Sequence, residues 1–423
     1  MSEPDTSGSG GFRWTICAML FFATTINYVD RAVLGILKPS LERELGWTQI
    51  EYGWIVTAFQ LTYALGYVSA GRLIDHIGVR LGFLGSVSTW SLAAMAHAAV
   101  RTVFGFTVAR AGLGLAQGGM FPAAIKAVAE WFPKEERAFA TGVFNAGSNV
   151  GAVVCPLIVP WLATQWGWQA AFIVTGALGF PWVAAWLWLY RSPETHPRVS
   201  AAELAHIRKD PPDPAGKIPW RILLRYRQTW AFVVGMAASS PIWWFYIFWV
   251  PDFLNKRYGL GLTQSSLPLM IMFLAASFGG IGGGWLSSRL LKLGWTVNAA
   301  RKTALLVCAL CVMPVMATPC VPEPWLAMVL VGLAAAAHCG FAANLFTLVS
   351  DTVPKQGVSS VVGIGGMAGA LGGMVFAQLV ARVLDYTGNH YFVPFAIASL
   401  SYLVALAVMH VLVPRLERME VQA

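Results

Sequence analysis

The sequence predicts an all-α membrane protein of about twelve transmembrane helices in two pseudo-symmetric six-helix halves. Three observations carry that prediction. Only 12% of the 423 residues are charged while 57% are hydrophobic, whereas a soluble domain carries roughly 25% charged residues. Apolar stretches of about 20 residues recur along the chain, each long enough to cross a hydrocarbon core of about 30 Å. A hydrophilic stretch at 191–228 holds eight Lys/Arg and four Asp/Glu and divides the remainder evenly. Backbone polar groups in lipid must be satisfied inside their own segment, so each stretch reads as a helix.

Spans fall near 14–38, 48–73, 82–100, 103–131, 139–163 and 168–190 before the divide. After it they fall near 229–254, 264–291, 303–321, 324–350, 357–384 and 391–414. The chain thus reads as a six-helix bundle over 1–190, a cytoplasmic linker over 191–228 and a second bundle over 229–423. Residues 1–12 are Gly/Ser-rich and lack both a charged n-region and a cleavage site. The first apolar segment is therefore expected to be a retained helix rather than a signal peptide.

Charge orients the spans. With the N-terminus inside, 20 Lys/Arg fall in inner loops and tails and six in outer ones. Arg31, Arg110 and Lys126, inside spans, complete the total of 29. The positive-inside rule then places both termini in the cytoplasm. The net charge of +9 follows from this topology and calls for no nucleic-acid partner. The six cysteines mostly lie within apolar runs and are expected to pack as small hydrophobes, Cys308 and Cys311 of the CxxC pair included. With no metal-ligand cluster, nucleophile–base pair or nucleotide loop in the sequence, no cofactor and no enzyme activity are expected. The glycine run from Gly363 to Gly373 follows no strand, so it reads as close helix packing rather than a phosphate loop.

A weak repeat links the halves: "AGRLIDHIGVR" at 70–80 follows the second span, and "GGWLSSRLLKLG" at 283–294 follows the eighth. Two parallel repeats with a site between them form a known transporter plan. The motif Gly71, Asp75, His76, Gly78 and Arg80 resembles the signature of the major facilitator superfamily. In that reading Gly71 lets two helices approach closely, Asp75 holds a helix N-terminus or an arginine across the seam, and Arg80 stays on the positive side. Such a contact would latch one access state.

Longer stretches carry a closer resemblance. "INYVDRAVL" (26–34), "RAGLGLAQGGMFPAAIKAVAEWFPKEERAFATGVFNAGSNVGA" (110–152) and "ANLFTLVSDTVP" (343–354) followed by "SSVVGIGGMAGALGGM" (359–374) are similar to the anion:cation symporter family. Within it they resemble bacterial hexuronate and sugar-acid transporters. The resemblance implies the major facilitator fold, a bacterial inner membrane, and proton-driven uptake of a sugar-acid monoanion such as galacturonate or glucuronate. Na⁺ is the alternative coupling ion, and a monomer suffices for such a fold.

A charge at bilayer depth costs at least about 2.5–3.5 kcal/mol, so each one needs a reason. Asp30 and Arg31 lie in mid-span and, as neighbours, point about 100° apart. Asp30 is the candidate proton carrier and Arg31 the candidate carboxylate ligand or gate. The corresponding residues have those roles in the resembled symporters. Arg110 lies one face-repeat before Gln117, and its fork of donors matches a carboxylate. The resemblance implies a Glu, as a second proton carrier or a substrate contact, where this chain has Gln117, a candidate substrate ligand that keeps the hydrogen bonds but cannot titrate. One titrating carboxyl would make symport of one proton with a monoanion electroneutral; two would make it electrogenic.

Tyr28 and Tyr63 match sugar-acid contacts of the resembled proteins, and Asn145 and Ser148 face the cavity in the same picture. In the span "SSPIWWFYIFWVPDFL", Pro241 and Pro251 can bend the helix, while Trp243, Trp244, Tyr246 and Trp249 are candidates for stacking on a sugar ring. Asn344 is the expected donor to sugar hydroxyls from the second half. His338, among small residues, is expected to be a satisfied packing histidine, and Lys126 is expected to pair with Glu130. The rival reading keeps the fold and changes the cargo, to an aromatic or lactate-like carboxylate, or to export.

Overall fold

The computed structural model describes residues 11–210 and 218–419, with all side chains between except those at 68, 71, 72, 75, 134, 135, 138, 355, 356 and 359. The described residues form helices and loops without a strand. In the first half α1 runs Phe12–Leu45, α2 Gln49–Ala96, α3 Val103–Gln117, α4 Met120–Trp131, α5 Lys134–Trp166, α6 Trp168–Ala177 and α7 Gly179–Leu189. The linker holds two short helices, α8 (Ala201–Ile207) and α9 (Trp220–Leu223). The second half has α10 Arg227–Tyr258, α11 Leu262–Lys292, α12 Val297–Val312, α13 Pro324–Thr352, α14 Lys355–Tyr386 and α15 Phe392–Leu412. A 3₁₀ turn at Met313–Cys320 extends α12.

Nine described helical segments are long and apolar enough to cross a membrane. The remaining passages are the two arms of α2 and the broken pair α3–α4. As a straight rod the 48 residues of α2 would reach about 72 Å, more than twice the hydrocarbon thickness. It is instead a hairpin turned at Gly78, whose φ of 82° and ψ of 163° leave the helical region. The proof lies in Gly119: a Cβ there would touch Ala70 and Ser86 alike, at 3.1 and 3.0 Å. Sixteen residues of continuous helix would hold those two about 24 Å apart. A Cβ at Gly78 would meet nothing within 4 Å, so conformation, not crowding, demands the glycine. Gly78→Ala is expected to cost about 1–2 kcal/mol, visible as a lower unfolding midpoint in detergent; an unchanged midpoint would mean the turn tolerates a side chain.

Local caps set the turns between helices. Gly46, with φ of 71°, closes α1 in the left-handed form. Thr48 and Glu51 then make a reciprocal capping box at the start of α2. Gly259, with φ of 67°, closes α10 as Gly46 closes α1, a repeat of the same device in the second half. The two halves meet where α2 packs on α14, α5 on α11, and α1 on α10. Within the second half small residues bring helices equally close: Gly365, Gly369 and Gly372 of α14 each press on α10, and a Cβ at any of them would fall within 2.2–2.7 Å of its neighbour. The glycine run is therefore a packing face, as its composition suggested. Pro241 and Pro251 sit within a continuous α10.

At one end of the bundle the linker docks on the first half. Arg13 Nε meets Glu136 Oε2 at 2.9 Å, and the Arg13 backbone donates to the buried Glu203 at 3.0 Å. Desolvation alone would raise the Glu136 carboxyl, but hydrogen bonds from Arg13 and His206 outweigh it and hold it below the usual range. This end is called the linker end below, and the opposite one the distal end.

Candidate functional site

Between the halves lies a cavity of about 470 Å³, within the range of small-molecule sites. Its first-half wall comes from α1, α2, α4 and α5, through Tyr28, Arg31, Tyr63, Tyr67, Phe121, Asn145 and Ser148. Its second-half wall comes from α10, α11, α13 and α14, through Ser240, Trp243, Trp244, Ser277 and His338 among others. Arg31 is the one charged side chain among the described lining residues.

Arg31 is held rather than neutralised. Its Nε donates to Gln117 Oε1 at 3.3 Å and its Nη2 to Asn27 Oδ1 at 3.0 Å. Both acceptors are uncharged amides, and Nη1 has no acceptor among the described residues. The guanidinium carbon lies 4.7 Å from the Tyr28 ring centroid, 4.8 Å from Tyr63 and 5.1 Å from Trp244. Aromatic faces hold a cation without cancelling its charge, so the group remains available to an anion. Gln117 Nε2 also donates to the Asn27 carbonyl at 3.1 Å, bracing the turn of α1 that carries Arg31.

Asp30 and Arg110 do not line the cavity; they stand behind it. Asp30 is 1% exposed; neither carboxyl oxygen makes a well-formed hydrogen bond among the described residues, and the buried Thr175 hydroxyl is a polar neighbour. Asp30 also lies within electrostatic reach of Arg110. Arg110 is fully buried: its Nη2 donates to the Arg31 carbonyl at 2.7 Å, while its Nε and Nη1 are buried without partners. The expected anion ligand is thus turned toward α1 and the rings of Phe59 and Phe248, 5.0 and 5.5 Å away.

The remaining expected residues divide in the same way. Tyr28, Tyr63, Asn145, Ser148, Trp243 and Trp244 reach the cavity. Tyr246 and Trp249 are buried instead, Trp249 where the halves meet, edge-on to Tyr52 of α2 at 5.3 Å. Asn344, expected to reach sugar hydroxyls, is fully buried and spends its amide hydrogens on the carbonyls of Gly283 and Gly340, both at 2.9 Å. There it pins α13 to α11. His338, expected to be a packing residue, lines the cavity. In the signature motif, Arg80 Nη2 donates to Leu187 O at 2.6 Å within the first half, and Lys126 Nζ donates to Ile74 O at 3.0 Å. The surroundings of Gly71 and the side chain of Asp75 lie outside what is described.

One cluster escaped the sequence reading. At the distal end Lys38 Nζ meets Asp252 Oδ2 at 2.7 Å, with both side chains at most 1% exposed. Glu42 joins Lys38 at 3.1 Å and also pairs with Lys256. Tyr391 donates to Asp252, Gln49 to Asn389 at 2.8 Å, and Tyr52 to the Phe248 carbonyl at 2.9 Å. Together they tie α1 and α2 to α10 and the α14–α15 turn, so the halves are latched on the distal side of the cavity. The available signal was Asp252, an acid within a predicted span, which the rule applied to Asp30 would have flagged.

A profile of the Major Facilitator Superfamily matches residues 20–377. The chain belongs to that superfamily. It is a multi-pass membrane transporter, not an enzyme. Among curated proteins it is 30% identical over 384 residues to the hexuronate transporter of Escherichia coli strain K12, covering 89% of each chain. It is 29% identical over 396 residues to the D-galactonate transporter of E. coli O6:H1, covering 90% of each. It is also 29% identical over 437 residues to a probable galactarate/D-glucarate transporter of E. coli K12, covering 97% of this chain and 96% of that one. Among solved structures, a bacterial homolog of the human lysosomal transporter Spinster, inward-facing and unoccupied, shares the fold with a TM-score of 0.72. That match is 18% identical and covers 96% of both chains.

Proposed function

We propose that this transporter takes up a monoanionic sugar acid of the hexuronate type together with a proton, by alternating access across a bacterial inner membrane. The observation that carries the reading is Arg31: a buried, unneutralised guanidinium in a cavity walled by tyrosine, tryptophan, serine and asparagine. A carboxylate supplies the missing countercharge, the rings stack on the apolar face of a sugar, and the amide and hydroxyl groups take its hydroxyls. The relatives that this chain resembles are transporters of such acids, which supports the substrate class. With both termini in the cytoplasm, the linker end is the inner end, and the distal latch closes the outer one. Asp30 is the proton carrier in this scheme, with H⁺ preferred over Na⁺ because a lone carboxyl offers no cage of oxygen ligands.

The test is a panel of labelled acids taken up by proteoliposomes under an imposed pH gradient, with galacturonate, glucuronate, galactonate, lactate and phthalate side by side. Uptake confined to lactate or phthalate would replace the sugar-acid reading with its rival. Arg31→Ala is expected to weaken binding by roughly thirtyfold or more, since truncating one partner of a buried charge pair costs about 2–5 kcal/mol. Arg31→Lys keeps the charge but loses the planar fork, so it should recover only part of the affinity. Wild-type affinity in Arg31→Ala, measured by calorimetric titration, would remove the anion site from this position.

A further inference from the structure

The second-half wall of the cavity carries no charged side chain among its described residues. Its most capable polar group is His338 on α13. The ring is stacked flat on Trp243, with centroids 5.1 Å apart and planes 7° from parallel. Its Nδ1 lies 2.7 Å from the hydroxyl of Tyr402 on α15. Tyr402 is fully buried, and its hydroxyl has no other partner among the described residues. A buried hydroxyl hydrogen left unpaired costs about 1–3 kcal/mol, so Tyr402 donates and Nδ1 accepts. That assignment leaves the ring proton on Nε2. Nε2 has no protein partner among the described residues, and the ring lines the cavity.

Resting on the sugar-acid reading, we infer that His338 is a specificity-determining residue that reads the substrate's end remote from Arg31. It presents one neutral N–H donor, held in its tautomer by Tyr402 and in its plane by Trp243. A hydroxyl or carbonyl oxygen satisfies that donor. A second carboxylate does so only by being buried against a wall with no cation, which leaves its charge uncompensated. The site therefore selects monocarboxylates with a polyol or carbonyl tail over dicarboxylates of the same length.

Galacturonate and galactarate, both six-carbon acids, are suitable probes, titrated separately into the full-length protein in detergent at constant pH. The wild type should bind galacturonate at least about tenfold tighter than galactarate. His338→Leu should weaken galacturonate by about tenfold, the range of one hydrogen bond, while His338→Gln, which restores an N–H donor, should recover most of it. His338→Arg should invert the preference toward galactarate, an outcome that loss of packing could not produce. Unchanged galacturonate affinity in His338→Leu with a wild-type unfolding midpoint would overturn the assignment, as would equal binding of the two acids by the wild type. If the wild type binds neither acid while binding another member of the uptake panel, the sugar-acid reading itself falls and takes this one with it.

Discussion

Asp30→Asn is expected to bind and exchange substrate yet to lose accumulation driven by a pH gradient. The reason is the isolation of the carboxyl. Both oxygens are buried without a well-formed hydrogen bond among the described residues, and an ionised carboxylate at such depth costs at least about 2.5–3.5 kcal/mol. The ionised form is favoured by Arg110, whose Nε and Nη1 are also unpartnered and which lies within electrostatic reach. Arg110 simultaneously holds the Arg31 carbonyl, on the residue whose guanidinium meets the cavity. Proton loss from Asp30 would therefore pull on the backbone that carries the anion ligand. Asparagine fixes the neutral state, so the site still fills but the gradient has nothing to act on. Solid-supported-membrane currents and counterflow assays separate the two functions; wild-type accumulation in Asp30→Asn would refute the coupling role. Gln117 bears on the same balance. A carboxylate in its place would sit 3.3 Å from Arg31 Nε and compete with the substrate for that charge, so Gln117→Glu should make binding more pH-dependent.

Much of this architecture is written locally, and local rules read it well. The spans follow from apolar length, the α1 and α10 ends from Gly46 and Gly259, and the close α10–α14 packing from the glycine run of α14. Arg31 was recognisable because a charge in mid-span has few bland explanations. What local rules cannot supply is direction around the helix. Arg110 and Asn344 are polar residues at the right depth, yet one turns toward the Arg31 carbonyl and the other toward Gly283. Their orientation is decided by partners 79 and 61 residues away. His338 was undervalued for the converse reason: its neighbours in sequence are small and apolar, while Trp243 and Tyr402, which set its role, lie on other helices. Lys38 shows the same limit most sharply. At the very end of the first predicted span, it is 1% exposed, because its partner Asp252 comes from the other half of the chain.

That pair leads to the second large effect. Asp252→Ala is expected to shift the conformational balance toward the state open at the distal end by roughly tenfold or more. Lys38 and Asp252 gain little from one another relative to two apolar side chains, since desolvation offsets most of their attraction. Removing one partner is different: it leaves the buried Lys38 with only the Glu42 carboxylate that Lys256 also holds, so part of the about 3–5 kcal/mol cost of an unpaired buried charge is incurred. Opening the distal end hydrates Lys38 and relieves that cost, whereas the state seen here retains it. The penalty therefore falls on one access state only, which is the condition for moving the equilibrium. Hydrogen exchange should accelerate in α2 over 49–57 and in α10 over 245–258, where Tyr52 and Phe248 now bond, and net uptake should fall while the sugar-acid affinity from the distal side holds. The double exchange Lys38→Asp with Asp252→Lys restores opposite charges across the seam and should bring exchange rates back toward wild type. Exchange rates in Asp252→Ala indistinguishable from wild type at both segments would mean the pair is a passive packing feature and that the tie between the halves resides in the Glu42–Lys256 pair, Gln49 with Asn389, and the contacts of Tyr52.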